Sequence, residues 1–84
     1  MNIRQRRALE AVFAEATPAT MPWRQIEAWL VGLGAEIHER SGSRVHVLLN
    51  GAHATFHRPH PGKEVGRLTV RDLRDFLTNA GVHP

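Results

Sequence analysis

Residues 41–61 read SGSRVHVLLNGAHATFHRPHP and hold His46, His53, His57 and His60 together with Arg44 and Arg58. Side chains of these two types are what cleavage of RNA by its own 2′-hydroxyl requires. An imidazole titrates near neutral pH, so it can take the 2′ proton or return one to the 5′ leaving oxygen. A guanidinium beside it stabilises the charge that grows on the phosphorane oxygens. The ribose supplies the nucleophile, so such chemistry needs no metal. A metal site built from His46, His53, His57 and His60 is the weaker reading, because Arg44 repels a cation and no carboxylate lies in the stretch. The plainest reading is the solvated face of a half-buried sheet, where any polar residue serves. Imidazole is an unusual default there, and HRPHP also reads as a rigid, proline-braced exit from a strand.

Position decides between these readings. Asn50-Gly51 separates two strand-like runs, and a two-residue type I′ turn, with φ > 0 at both central residues, is the strongest short-range hairpin signal. Such a turn sets the register, with Leu49 facing Ala52 and the pairs continuing to Arg44 opposite His57. Val45, Val47, Ala54 and Phe56 then form an apolar face. Arg44, His46, His53, Thr55 and His57 form the other, with Leu48 as its one apolar member. His46 falls opposite Thr55 and diagonal to His57.

The surrounding elements follow from periodicity. Residues 3–15 fit an amphipathic helix with Leu9, Val12, Phe13 and Ala16 at helical spacing, and Arg4, Arg6 and Arg7 at its start. TPATMP breaks it, and a second helix over about 22–33 carries Trp23, Ile26, Leu30 and Leu33, with Trp29 at the flank and Gly34 as its stop. AEIHER alternates as a short strand, with Glu36 and His38 on its polar face. PHPGKEVG reads as a loop. The last helix, about 68–80, turns Val70, Leu73, Leu77 and Ala80 inward, with Phe76 beside them, and stops at Gly81. It also carries Arg67, Arg71 and Arg74 as a separate stripe, read either as a solvated face or as a surface for RNA or an acidic partner. His38 and His83 have no assigned role.

At 84 residues the chain is expected to be a single α+β domain over 1–84, its three-stranded antiparallel sheet covered by helices on one face. There is no cysteine, hence no disulfide and no thiolate chemistry. No apolar run approaches a membrane span, and the N-terminus lacks the apolar segment of a signal peptide, so the expectation is a cytoplasmic protein with no membrane contact. The net charge is +3, while the sequence pI of 11.1 overstates the field, because almost nothing titrates between neutrality and arginine. Lys63 is the one lysine against ten arginines. Arginine's planar fork suits phosphate and stacked bases, which makes RNA the first partner class and an acidic protein the competing one.

WLVGLGAEIHERSGSRVHV, the hairpin and the closing VRDLRDFLTNAGV together resemble the HicA-type toxins, the ribonuclease components of HicA–HicB toxin–antitoxin pairs. The resemblance covers roughly residues 22–82 and leaves 1–16 as an additional N-terminal helix. It implies a double-stranded-RNA-binding-like α-β-β-β-α fold, cleavage of mRNA without a small-molecule cofactor or metal, and silencing by a HicB-like antitoxin. The family's usual catalytic histidine follows Gly-Ser; here Gly42-Ser43 is followed by Arg44. Either activity is lost or the imidazole comes from elsewhere on the same face. The pattern GSRV…LNG…FHRPHP favours the second, with His57 nominated, His46 as the complementary group and Arg44 as phosphate clamp. Ser43, Arg44, Arg58, His60 and Lys63 are the residues expected to bind RNA. The alternative is a non-catalytic RNA-binding or antitoxin-binding module on the same fold.

Overall fold

Asn2 starts the first helix by a reciprocal cap: its side chain accepts from the Gln5 amide at 2.7 Å, and its own amide donates to Gln5 Oε1 at 3.0 Å. The computed structural model describes residues 2–14, 20–59 and 63–83. Its elements run α1 (Ile3–Phe13), β1 (Thr20–Pro22), α2 (Trp23–Gly32), β2 (Glu36–Arg40), β3 (Arg44–Leu49), β4 (Ala52–His57), β5 (Glu64–Gly66) and α3 (Arg67–Asn79). The architecture is α+β, with β2-β3-β4 forming a three-stranded antiparallel sheet. Among the described residues no helix is long and apolar enough to cross a membrane.

Both later helices end as their glycines predict. At α2, Gly34 takes φ 97°, its amide bonds Val31 O, and the Ala35 amide reaches back to Leu30 O. At α3, Gly81 takes φ 75°, its amide bonds Thr78 O, and the Val82 amide reaches Leu77 O. These are Schellman closures, which need a left-handed residue just past the helix. The hairpin turn is equally literal. Asn50 and Gly51 take φ 50° and 85°, and the register runs from Leu49↔Ala52 to Arg44↔His57.

Alternation then sorts the strands. Val45, Val47, Leu49 and Phe56 are buried against the helices, with Ile37, Ala52 and Ala54 packed partly beside them. Phe56 joins the layers: its ring lies 6.0 Å from Trp23 of α2 and meets Phe76 of α3 edge-on at 6.1 Å. Helix α3 buries Val70, Leu73, Phe76 and Leu77. Trp29 flanks the α2 stripe because it serves another neighbour, its indole N–H donating to Gln5 O of α1 at 3.1 Å.

Several expectations change. PHPGKEVG is not all loop, and residues 20–22 are not merely a break: Thr20↔Gly66, Met21↔Val65 and Pro22↔Glu64 pair as a second, two-stranded sheet. Met21 and Val65 are buried under it. Strands of three residues are too short to show alternation, and Pro22 sits at a strand end where its missing N–H costs nothing. Pro22 also caps α2 rather than entering its first turn. The α3 arginine stripe divides: Arg74 donates to Val12 O and Ala14 O of the α1 terminus at 2.8 and 2.9 Å, while Arg67 and Arg71 are exposed. Helix α1 ends at Phe13, and Ala16 lies outside the described residues, as does His60.

Candidate functional site

The sheet face turned away from the helices is ordered in three rows. Register places Arg40, Arg44 and His57 side by side in the first, His38, His46 and Thr55 in the second, and Glu36, Leu48 and His53 in the third. Rows lie two residues apart, about 7 Å, and directly opposed side chains have Cβ atoms about 4.5–5.5 Å apart. Arg44, His53, Thr55 and His57 are exposed, and His46 and Leu48 half-buried.

The first row is cationic. Arg40 and Arg44 face each other directly, an arrangement that costs stability unless an anion or solvent screens it. Arg44 is steered rather than loose: its Nε donates to Ser41 O at 3.0 Å and an Nη to Ser41 Oγ at 3.3 Å. A guanidinium has five N–H groups, so these two bonds orient the fork and leave donors for a phosphate. Ser43 belongs to the turn that makes this possible. It takes φ 61° after Gly42 at 72°, and its carbonyl accepts the Arg58 amide at 2.7 Å, adding a rung beyond Arg44↔His57.

The second row holds the best-positioned imidazole. His46 Nδ1 lies 3.2 Å from Thr55 Oγ1. A hydroxyl both donates and accepts, so Thr55 holds the ring whether Nδ1 carries a proton or a lone pair, with Nε2 pointing away. His46 also lies 5.4 Å, ring to ring, from His53.

Two nominated cations lie elsewhere. Arg58 follows His57 and therefore points to the helix side, where it pairs with Glu39 of β2 and, at 3.3 Å, with Glu27 of α2. The hydrogen bond to Glu39 raises its pKa above the ordinary arginine value, against a smaller opposing effect of burial, with the charges of Glu27 and Glu39 adding to the rise. Lys63 is exposed beside the start of α2, its carbonyl facing the Trp23 amide at 3.4 Å, and is not part of the rows. Sequence reasoning passed over Arg40 and His38. The alternation of AEIHER already placed His38 on a polar face with Glu36, but only the pairing of β2 with β3 sets Arg40 opposite Arg44 and His38 opposite His46. His38 Nε2 stands 3.8 Å from Glu36. Among the described residues, no three histidines or carboxylates converge closely enough to hold a metal ion.

Searches of curated proteins and of solved structures found no match. A family model did match, that of the HicA toxin of bacterial toxin–antitoxin systems, over residues 23–82. That span runs from α2 through the whole three-stranded sheet to the closing turn of α3, leaving α1 and β1 outside it. Covering well over half of the chain, it places this protein in the HicA toxin family, the toxin side of a bacterial toxin–antitoxin pair.

Proposed function

We propose that the chain is an endoribonuclease that cleaves mRNA by 2′-hydroxyl attack, in the cytoplasm, and is held inactive by a HicB-like antitoxin covering the three rows. The observation that carries this is the juxtaposition of Arg44 and His57 in one row, with His46 diagonal to His57 and braced by Thr55. The family's usual histidine position holds Arg44, and His57 supplies an imidazole directly across the ladder from it.

The roles follow from position. One of His57 and His46 takes the 2′ proton as the 2′-oxygen forms its bond to phosphorus. The other delivers a proton to the 5′-oxygen as the P–O5′ bond breaks. The products are a 2′,3′-cyclic phosphate and a 5′-hydroxyl, and the two histidines exchange protonation states. Arg44, with Arg40 opposite, holds the non-bridging oxygens and offsets the charge that grows on them. Ser43 shapes the turn that aims Arg44, and Arg58 holds the strand end behind His57 rather than touching RNA.

The test is incubation of purified protein with RNA in EDTA, with product ends analysed. Cleavage leaving cyclic-phosphate ends, and lost in His57→Ala, is the expected result. Cleavage abolished by EDTA and restored by a divalent cation refutes the metal-free mechanism. Binding without cleavage leaves a non-catalytic module on the same fold.

A further inference from the structure

Leu48 is the one apolar side chain in the three rows, half-buried where its neighbours are polar. It stands directly opposite His53, whose exposed ring lies 5.4 Å from that of His46, tilted by 40°. The third row is thus an apolar floor beside a pair of imidazole planes, with no guanidinium in it. It begins about 14 Å, two rows, from the phosphate-binding guanidiniums. A partly apolar and partly aromatic surface two rows from a cationic one has a specific use: unpaired bases stack on aromatic side chains while their backbone follows the positive charge.

We infer that Leu48 and His53, together with the adjoining edge of His46, form a stacking subsite for an unpaired nucleobase further along the strand from the scissile phosphate, so that the substrate is single-stranded RNA. The inference rests on the proposed ribonuclease reading and adds to it the strandedness of the substrate and the residues that select it. A paired duplex buries its base faces and cannot offer one to this floor. Glu36, opposite Leu48 on its other side, supplies carboxylate oxygens that accept from an exocyclic amine at the edge of the stacked base.

The probe is a short 2′-O-methyl RNA, which cannot be cleaved, carrying 2-aminopurine at each position in turn, whose fluorescence is quenched by stacking. Wild type, His53→Ala and His53→Phe are compared with this strand and with its duplex, each variant first checked by thermal melt. At one position, quenching on wild-type protein is expected, retained in His53→Phe and lost in His53→Ala. The alanine variant should bind about 5- to 100-fold more weakly, the loss of one stacked base, and the duplex should bind wild type more weakly than the single strand. No quenching at any position, unchanged binding by His53→Ala, or a preference for duplex each overturns the subsite. If such a result accompanies cleavage that depends on His57, the subsite fails while the ribonuclease reading stands. If wild type neither binds nor cuts RNA, both fall together.

Discussion

Replacing Arg74 by alanine removes one of the contacts that fasten α1 to the rest of the chain. The guanidinium donates to Val12 O at 2.8 Å and Ala14 O at 2.9 Å, carbonyls at the α1 terminus that have no partner further along the helix. A hydrogen bond to a charged group contributes about 1.5–3 kcal/mol. These two share one side chain, and water recovers part of the loss at the carbonyls that the truncation uncovers, so the pair is worth about 2–3 kcal/mol together. The positive charge at a helix C-terminus adds to this in the same direction. For a chain of this size each kcal/mol moves the melting temperature by about 4–8 °C, which sets the expected drop at about 10–20 °C. Arg71→Ala is the control, since an exposed arginine on the same helix should change stability by no more than about 0.5 kcal/mol. Arg74→Lys keeps the charge but not the fork and should recover less than half of the loss. The assay is a thermal melt of the three variants at equal concentration and salt. Equal melting temperatures for Arg74→Ala and Arg71→Ala would refute the reasoning, because the two arginines would then be the interchangeable stripe that spacing alone suggests.

His57→Ala should lower RNA cleavage by about 10²–10⁴-fold with an unchanged melt, because the side chain is exposed; full activity in the folded variant would shift the assignment to His46. His46→Ala should cost a similar factor, and Thr55→Val less, since the ring remains but loses its brace; the readout is the cleavage rate of each variant beside its thermal melt. Asn50→Ala should destabilise by about 1–2 kcal/mol, since it removes both the residue type that tolerates φ 50° and the 3.0 Å bond from Asn50 Nδ2 to Ala80 O; denaturant melts measure it, and a loss below about 0.3 kcal/mol would contradict the turn. Arg58 has a folded pKa raised by its bond to Glu39, so its contribution is complete below its unfolded value and is lost only as pH climbs through a still higher one. Stability attributable to this link should therefore stay flat from pH 7 to about pH 10, whereas Arg58→Lys, whose ammonium ordinarily titrates near ~10.4, should begin to lose it there; parallel alkaline melts would disprove the point.

Much of the sheet was legible because short-range chemistry dictates it. Asn50-Gly51 admits few turns other than the one observed, and from that turn the pairing of Arg44 with His57 and of His46 with Thr55 follows by counting. The glycine stops of α2 and α3 were legible for the same reason. What stayed hidden depends on partners distant in sequence. The pairing of residues 20–22 with 64–66 spans more than forty residues and involves three residues a side, with proline in both segments' surroundings. The fate of Arg74 depends on where the α1 carbonyls end, which no pattern within α3 records. The rows on β2 were half legible: alternation placed Glu36 and His38 on a polar face, but nothing local says which β3 residues they meet.

Parity carries the final distinction, between two arginines that the sequence offers as equivalents. Arg44 and Arg58 flank the same cross-strand region, and both follow or oppose a candidate histidine. Arg44 shares its row with His57 and so lies on the open face. Arg58 is one residue past His57 and so lies on the other, where Glu27 and Glu39 hold it. A one-residue slip of β4 against β3 would bring Arg58 to the open face, take His57 away from it and turn Ala54 and Phe56 out to water. That slip is opposed at both ends of the hairpin. Asn50 is bonded to the end of α3 through Ala80 O, and the Arg58 amide is bonded to Ser43 O. The residues that keep the imidazoles and Arg44 together are therefore ones that do no chemistry themselves, and the second arginine contributes to the site by staying out of it.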